Sequence, residues 1–389
     1  MISSLILLSV AAFFYFAQQS IITDDQDKPI IAQKKEPVRK SGKEQYLSHA
    51  EIIENWLTLR GTYSNGVAYN VTPPVQWNGK TGECIIWKVK IDLPGKSSPV
   101  VHKNQILITG AAKDKKVVSA YNFTTGKLLW TVNVNDHVKG ASIKADNIKD
   151  TGYAASTMAA DGKRMFAIFT TGEIICFSYK GEYIWSKHVN VSDNMYGHAS
   201  SLITFENKLY VQLDKTTDSK LLVLNSVDGA IIKTIARTDM ISWASPVIYN
   251  QKEKAPQIIV NANPYTVSYN PVSDTENWRA ECLTGDVASS ICYYNDRIYA
   301  TNIRSCLFSL NASDGKIIWE SCDPVCPDTS SPVATVKFLF MATAPGVVSC
   351  INTADGSILW EEEFNNIFYS SPILADNKIF LIITDFGGE

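Results

Sequence analysis

At 389 residues the chain is longer than most single compact domains, which leaves two domains or one architecture that grows by repetition. Aromatic residues make up 11% of it, a content typical of a folded β-rich protein and not of a disordered or fibrous chain. The formal net charge of −3 gives no basic excess to hold a phosphate backbone, so nucleic acid is excluded as a partner.

The first predicted element is an apolar run from Ile2 to Ala17 that contains no charged side chain. It is short for a membrane span and has the character of the apolar core of a secretory signal. No Lys or Arg precedes it and the cleavage pattern is weak, so an uncleaved anchor is the alternative. We interpret residues 1–17 as a signal peptide or membrane anchor, which predicts export to the periplasm, cell envelope or extracellular space.

Residues 18–45 form the next predicted segment. They are rich in Asp, Lys, Gln and Pro and have little apolar periodicity, so burial cannot offset the entropy of ordering them. We interpret this segment as a flexible linker. Membrane contact is then predicted only through the N-terminal segment, and the repeats that follow lie in residues 46–389.

A tryptophan repeat follows the linker. In its clearest copies a turn ends in glycine and a tryptophan comes four residues later, as in Gly126 to Trp130, Gly181 to Trp185, Gly315 to Trp319 and Gly356 to Trp360. Two degenerate copies end at Lys233 and Trp278, and an earlier copy ends at Trp87. The spacing of these anchor positions runs from 41 residues (319 to 360) to 55 residues (130 to 185). Such a period is typical of β-propeller blades.

A second pattern lies between the anchors, where serine precedes a short apolar stretch, a polar turn and another apolar stretch. Its copies begin at Ser98, Ser156, Ser201, Ser245, Ser290, Ser331 and Ser371. Asp-Gly and Thr-Gly pairs supply the positive φ that tight hairpins require. Each unit therefore predicts four short strands, and the fold is predicted to be an all-β propeller with seven or eight four-stranded blades. A solenoid of β-coils is the alternative, but its rungs are usually shorter.

The last unit begins at Ser371 and has only two predicted strands before Glu389. The ring is therefore expected to be incomplete at its carboxyl end, unless an amino-terminal strand near Ile85 to Val89 pairs across the gap. An unpaired sheet edge exposes backbone hydrogen-bonding groups. We expect residues 371–389 to be the least protected part of the propeller.

Two stretches carry a family resemblance: Val118-Ser119-Ala120-Tyr121-Asn122 up to Trp130, and Val348-Ser349-Cys350-Ile351-Asn352 up to Trp360. They resemble blades of the pyrroloquinoline-quinone-like propeller family, whose pattern is Leu-x-Ala/Cys-Leu-Asp-x-x-x-Gly-x-x-x-Trp. The opening Asn55-Trp56 and Leu59-Arg60-Gly61 is similar to secreted bacterial members with a Trp-x-x-Phe-Arg-Gly motif. The resemblance runs from about Trp56 to the end of the chain.

The resemblance implies that the anchor tryptophans dock between neighbouring blades. A large ring at a fixed place in each outer strand buries about 150 to 250 Å² and joins one sheet to the next. We therefore expect buried rings at equivalent places, the anchors being Trp87, Trp130, Trp185, Trp278, Trp319 and Trp360. Lys233 breaks this pattern, which predicts a weaker or solvent-facing seam at the third blade.

The resemblance also raises an enzyme hypothesis, a quinoprotein oxidoreductase with pyrroloquinoline quinone (PQQ) and calcium in the channel. Its members need two adjacent cysteines over the cofactor, ligands for calcium and an aspartate base. No Cys-Cys pair occurs in this sequence. We therefore expect no cofactor, no metal and no catalytic residues, and the PQQ-dependent or degenerate oxidoreductase is kept as an alternative.

The cysteines divide into two groups. Cys176 and Cys350 take the repeat position that Ala120 holds elsewhere, so they are interpreted as small core residues. Cys322 and Cys326 flank Asp323-Pro324-Val325, in a predicted loop where an oxidising compartment would bridge them or pair one with Cys282. A single C-x3-C without a nearby histidine is a poor zinc site. We predict a Cys322–Cys326 disulfide, with free thiols as the alternative.

These features favour a non-enzymatic extracytoplasmic binding protein that presents its loops to a protein or a cell-envelope polymer. The propeller scaffold of the bacterial outer-membrane assembly machine, which is similar in fold, provides the analogy for this hypothesis. A third hypothesis is a carbohydrate-binding propeller. It is motivated only by aromatic residues such as Tyr196 and Trp243, which are expected at the mouth of the channel.

Overall fold

A computed structural model describes residues 46–139 and 148–383. The predicted signal peptide or anchor (residues 1–17) and linker (residues 18–45) lie outside these ranges. Within them, no helix has both the length and the apolar character needed to cross a membrane. The strands form seven separate sheets, which confirms the predicted propeller of four-stranded blades.

The amino-terminal part of the domain contains three short elements. Helix α1 (His49–Ile53) begins with a capping box, in which the Ser48 hydroxyl accepts the N–H of Glu51 and the Glu51 carboxylate accepts the N–H of Ser48. A 3₁₀ helix (Thr62–Ser64) and strand β1 (Val67–Ala68) follow. Strand β1 joins the last sheet, as described below.

Blades 1 to 3 each contain four strands that pair antiparallel in chain order. Blade 1 consists of β2 (Val100–His102), β3 (Gln105–Ala112), β4 (Lys115–Asn122) and β5 (Leu128–Asn133). A 3₁₀ helix (Val134–Asp136) and α2 (Ile148–Thr151) lie between it and blade 2, which consists of β6 (Ala159–Ala160), β7 (Arg164–Ile168), β8 (Glu173–Ser178) and β9 (Tyr183–His188). Blade 3 consists of β10 (Ile203–Phe205), β11 (Lys208–Leu213), β12 (Lys220–Asn225) and β13 (Ile231–Ala236).

Blades 4 to 6 repeat this arrangement. Blade 4 consists of β14 (Val247–Tyr249), β15 (Gln257–Asn261), β16 (Tyr265–Asn270) and β17 (Thr275–Glu281). Blade 5 consists of β18 (Cys292–Tyr294), β19 (Arg297–Ala300), β20 (Leu307–Asn311) and β21 (Ile317–Ser321). Blade 6 consists of β22 (Val333–Ala334), β23 (Phe338–Ala342), β24 (Val347–Asn352) and β25 (Ile358–Glu363).

Blade 7 differs from the other six. It contains the hairpin of β26 (Ile373–Ala375) and β27 (Lys378–Phe380), and β1 pairs with β26 in parallel. The sequence had suggested that residues near Ile85 to Val89 would supply an amino-terminal strand, but residues 84–90 form no strand in the structure. Strand β1 instead joins the opposite, inner edge of the blade beside β26, where Gly66 accepts the N–H of Leu374 at 2.9 Å.

The anchor residues lie in the outer strands at a recurring β-bulge. In blade 1, Trp130 pairs with Ala120 and the register then shifts at Tyr121. The same shift beside the anchor occurs in blades 2 to 6. A bulge re-aims the neighbouring side chain, so each anchor is directed at the following blade. Cys176 and Cys350 pair with anchors, as Ala120 does, and are buried core residues.

Five of the anchor rings pack on the glycine turn of the next blade, namely those of Trp87, Trp130, Trp185, Trp278 and Trp319. The indole N–H of Trp185 donates to the Ser226 carbonyl at 3.0 Å, and a Cβ built on Gly229 would lie 2.6 Å from the ring. Only glycine fits such a close approach at positive φ. Equivalent indole bonds run from Trp87 to Phe123, Trp130 to Tyr179, Trp278 to Ala312 and Trp319 to Thr353.

Only some of the anchor tryptophans are buried as the sequence predicts. Trp185 and Trp278 are buried, and Trp87, Trp130 and Trp319 are half-buried, whereas Trp360 is 47% exposed. Trp360 is the anchor of blade 6. The Cβ positions built on the turn glycines of blades 1, 2, 3, 5 and 6 lie against the other anchors and not against Trp360.

The seam between blades 3 and 4 is built from polar groups. Lys208 Nζ lies 2.6 Å from Asp274 Oδ2, and the Tyr210 hydroxyl donates to Asp274 Oδ1 at 3.0 Å. Lys233, in the anchor position, donates to the Ser273 carbonyl at 3.3 Å. Asp274 is only 5% exposed. The seam is therefore buried and not solvent-facing, because Asp274 replaces the usual turn glycine and binds the Lys208 ammonium and the Tyr210 hydroxyl instead of an indole ring. Whether it is weaker than the other seams stays a prediction.

A chain of hydroxyl groups links the inner strands. Each hydroxyl accepts the backbone N–H of the equivalent residue in the preceding blade at 2.8 to 3.0 Å, in the sequence Ser98 to Thr157, Thr157 to Ser201, Ser201 to Ser245, Ser245 to Ser290, Ser290 to Ser331 and Ser331 to Ser371. The serine repeat seen in the sequence thus supplies hydroxyl acceptors that join the inner strands of adjacent blades. In blade 2 the acceptor is Thr157 and not the neighbouring Ser156.

The apolar core lies between adjacent blades, in clusters that join each blade to the next. The cluster between blades 6 and 7 is much smaller. In the described residues it consists of Ala342, Val348 and Phe368, with Leu381 packed against them. Within the described residues, blade 7 therefore has the smallest apolar contact with its neighbour.

Candidate functional site

The centre of the ring is crossed by residues 56–68, which we call the channel segment. Trp56 bridges to Val101 of blade 1, the Leu57 carbonyl accepts the N–H of Ala160 in blade 2 at 2.9 Å, and the Thr58 hydroxyl donates to the Leu202 carbonyl beside blade 3 at 2.9 Å. Further along, Tyr63 packs with Ile248 of blade 4. Asn65 exchanges two hydrogen bonds of 2.8 and 3.0 Å with the backbone of Tyr293 in blade 5.

Arg60 lies at the middle of the channel segment and is 4% exposed. Its guanidinium donates to the carbonyl of Ile291, at 3.1 Å, and to the carbonyl of Pro332, which belong to the starts of blades 5 and 6. All of its acceptors in the described residues are backbone carbonyls. Burial lowers the pKa of Arg60 to about 10, so it is still charged at neutral pH. Arg60 therefore places a buried positive charge in the channel.

Two glycines make this packing feasible. A Cβ on Gly61 would lie 2.3 Å from the ring of Trp56, and a Cβ on Gly66 would lie 2.8 Å from the Arg60 guanidinium. Both have positive φ, as do Arg60, Tyr63 and Ser64. Non-glycine residues adopt this conformation only where the surroundings enforce it. The Trp-x-x-Leu-Arg-Gly motif is thus explained as the packing element of the channel segment.

The channel residues do not fit PQQ and calcium. Calcium takes 6 to 8 oxygen ligands, with carboxylates prominent among them. The channel segment instead brings a guanidinium, a hydroxyl, an amide and backbone groups to the inner strands. A cation in this position repels a divalent metal, and the space is filled by Leu57, Thr58 and Arg60, all buried.

An exposed patch lies on the loops before and after blade 3, and we call it the blade 3–4 patch. It comprises Met195, Tyr196, Met240 and Trp243. The Tyr196 and Trp243 rings are 5.1 Å apart in an edge-to-face arrangement, and both are half-buried. Met195 is 48% exposed and Met240 is 55% exposed. The pair suggested by the sequence, Tyr196 and Trp243, is thus brought together by two different loops.

A buried network of amide and charged side chains holds Trp243 of this patch in place. The indole of Trp243 donates to Asn194 Oδ1 at 2.8 Å, and Asn194 Nδ2 donates to the Asp214 carbonyl at 3.4 Å. Arg237 lies 2.9 Å from the Asp214 carboxylate and 3.3 Å from that of Asp239. Gln212 adds a bond to Asp214 at 2.6 Å. Sequence reasoning missed this network, since its members are far apart in the sequence and belong to no motif.

The cysteine prediction needs a correction. Cys322 forms a disulfide with Cys306, with the Cα atoms 4.4 Å apart, and Cys326 is a buried free thiol. The register explains the pairing, because Leu307 faces Ser321 across β20 and β21, which sets Cys306 opposite Cys322 one position further along. Cys282 is also a free buried thiol.

The chain matches a known protein family. A family model described as "Outer membrane protein assembly factor BamB" matches residues 75–240 and 325–385. A curated Yersinia pestis protein with that same name is 19% identical over 356 residues, which cover 88% of this chain and 72% of that protein. An uncharacterised protein of Rickettsia conorii is 26% identical over 241 residues, 57% of this chain. The chain spans 55% of the length of this Rickettsia relative.

Among solved structures, BamB from Moraxella catarrhalis is similar in fold. The TM-score is 0.55 at 13% sequence identity, and the match covers 72% of this chain and 78% of the other. At this level of identity the likeness concerns the propeller and not its ligands.

Proposed function

Because this chain belongs to the family of outer membrane protein assembly factor BamB, we propose that it is a non-enzymatic scaffold of the cell envelope that presents its interblade loops to a protein partner. The observation that carries the proposal is the filled channel. The channel segment contacts inner strands around the ring and places Arg60 at its centre. The place where a propeller enzyme would hold a cofactor is then closed by the protein's own backbone, and recognition falls to the outer loops.

The blade 3–4 patch is the proposed contact surface. Aromatic residues and methionine are enriched at protein interfaces, and anchors with fixed rotamers bind with a smaller loss of entropy. Trp243 is held by Asn194, which the Asp214–Arg237 pair fixes in turn. The partner proposed from the family name is a component of the machinery that assembles outer-membrane proteins.

Export is part of the same proposal. A disulfide between Cys306 and Cys322 is expected to persist only in an oxidising compartment such as the periplasm. The apolar run of residues 1–17 supplies a route to that compartment. The proposal therefore includes a periplasmic or other envelope location, with membrane contact through the amino-terminal segment.

Site-directed photo-crosslinking in intact cells tests the contact surface. A crosslinking residue in place of Tyr196 is expected to capture a protein of the outer-membrane assembly machinery. The matched control replaces Val272, which is 76% exposed in the turn between β16 and β17 and so at the opposite end of blade 4. Equal capture from both positions, or capture from Val272 alone, would refute the blade 3–4 patch.

Thermal unfolding in the presence of PQQ and calcium tests the enzyme alternative. A ligand that binds the native state raises its stability in proportion to the logarithm of ligand concentration. We expect no shift at any concentration, because Arg60 and its neighbours fill the channel. A concentration-dependent rise in Tm would overturn the non-enzymatic proposal.

A further inference from the structure

Three side chains that can bind a metal ion meet on the outer hairpin of blade 5. One ligand atom from each of Cys306, Glu320 and Cys322 lies within 4.8 Å of the other two. In the described ranges 46–139 and 148–383, no other three side chains of His, Cys, Asp or Glu come this close to one another. We call these three residues the blade 5 triad.

Strand register brings the triad together. Residues two positions apart in a strand point to the same face of a sheet, so Glu320 and Cys322 share one face at the end of β21. Leu307 pairs with Ser321, which sets Cys306 directly opposite Cys322. Their Cα atoms are 4.4 Å apart, as expected for two directly opposed residues. Two sulfurs and a carboxylate therefore meet on one face of the hairpin, although no sequence motif joins them.

The distances in the triad suit a tetrahedral zinc ion. With Zn–S bonds of about 2.3 Å and Zn–O bonds of about 2.0 Å, a sulfur and an oxygen ligand lie about 3.5 Å apart. Glu320 Oε1 lies 3.5 Å from Cys322 Sγ. Glu320 and Cys322 are exposed and Cys306 is half-buried. Water can therefore take the fourth position, as it does in open zinc sites.

The disulfide controls whether the two sulfurs can act as ligands. In the oxidised chain Cys306 and Cys322 are bonded to each other, and neither sulfur is a thiolate. A dithiol reductant breaks this bond by transferring two electrons and two protons, which gives two thiols here and a disulfide in the reductant. Zinc then replaces both thiol protons, which pass to solvent, and forms two Zn–S bonds and one Zn–O bond.

We propose that the blade 5 triad is a zinc site that opens when the Cys306–Cys322 disulfide is reduced. Thiolate ligands favour zinc over calcium and magnesium. Since zinc binds the reduced form alone, zinc at 100 times its Kd should raise the ratio of reduced to oxidised chain about 100-fold. The proposal is independent of the proposed function, because this hairpin is not part of the blade 3–4 patch.

Cobalt(II) titration of the full-length chain tests the site. Cobalt(II) takes tetrahedral zinc sites and is coloured when thiolates bind it. After reduction and anaerobic removal of the reductant, we expect one equivalent to give thiolate-to-cobalt charge-transfer bands, which zinc then abolishes by displacement. The oxidised chain should give none. Bands of equal intensity in both redox states, or no bands after reduction, would overturn the proposal.

Four variants locate the bound ion. Glu320→Gln keeps the disulfide and should weaken cobalt binding at least tenfold. Glu361→Gln is the matched control, because Glu361 follows the anchor of blade 6 as Glu320 follows that of blade 5, and both are exposed. Cys322→Ser should abolish the bands, whereas replacing the exposed free thiol in Cys84→Ser should not change them. Equal affinity of the two glutamine variants, or loss of binding in Cys84→Ser, would assign the ion to another place and refute the blade 5 triad.

Discussion

Trp278 of blade 4 and Gly315 of blade 5 are in direct contact, and a Cβ built on Gly315 would lie 2.4 Å from the indole ring. The same indole donates to the Ala312 carbonyl at 3.0 Å. The ring thus fills the seam and satisfies a carbonyl of the next blade. A single residue pair therefore determines how closely two blades approach.

Trp278→Ala should destabilise the propeller by about 3 to 5 kcal/mol, the usual cost of truncating a buried tryptophan. Trp360→Ala is the matched control and should cost less than about 1 kcal/mol, since that ring is 47% exposed. Urea unfolding followed by circular dichroism measures both. Equal losses would contradict the assignment of the seam contact.

Asp274→Ala should destabilise the polar seam by about 3 to 5 kcal/mol, because the buried Lys208 ammonium loses its partner. The double variant with Lys208→Met should recover a large part of this loss, since no buried charge then remains unpaired. A double-mutant cycle on the free energy of unfolding measures the coupling. Additive effects would show that the 2.6 Å contact contributes little to stability.

Gly61→Ala should be strongly destabilising, since its Cβ would overlap the Trp56 ring at positive φ. Gly82→Ala is matched in backbone conformation, with φ of +85° and no atom within 4 Å of the added Cβ. It should cost only about 1 to 2 kcal/mol, the penalty for a left-handed residue. A similar Tm for the two variants would mean that the channel segment is not tightly packed.

His198 is predicted to make the protein less stable in acid. Burial lowers the pKa of His198 to about 4, below its ordinary value near 6.5. Between these values the unfolded chain binds more protons than the folded one, so stability falls as pH decreases from 6.5 to 4. His198→Gln should reduce this slope, by up to about 3 kcal/mol over the interval. An unchanged slope in urea unfolding at several pH values would exclude His198 as its source.

Reduction of the Cys306–Cys322 disulfide should destabilise blade 5 by about 2 to 4 kcal/mol. Cys322→Ser should reproduce the loss and leave Cys306 free to react with a thiol reagent. Cys326→Ser should leave the disulfide intact, which peptide mapping by mass spectrometry can verify. Detection of a disulfide between Cys322 and Cys326 would instead support the pairing predicted from the sequence.

The propeller could be predicted from the sequence because each repeat contains the residues that its own turns and strands require. A glycine four residues before a tryptophan marks a tight turn that is followed by an anchor residue. The ring of that anchor packs on the equivalent turn of the next blade. Much less of the candidate site could be predicted from the sequence. The partners of Arg60 are backbone carbonyls, which have no sequence signature. Asp214 follows β11 and Arg237 follows β13, so the two meet only after both strands have paired with β12. Cys306 was overlooked because the partner of Cys322 depends on strand register and not on proximity in the sequence.

The hydrogen bond from Arg60 to Pro332 joins residues 272 positions apart, and this separation has a consequence for assembly. Contacts between distant residues form slowly, because a long loop must close before they contribute. Residues 56–68 precede blades 1 to 6 in the chain, yet Arg60 and Asn65 reach their partners only when blades 5 and 6 are in place. The buried charge of Arg60 therefore lacks these carbonyl partners until the ring is almost complete, and we expect the middle of the channel segment to become fixed late in folding.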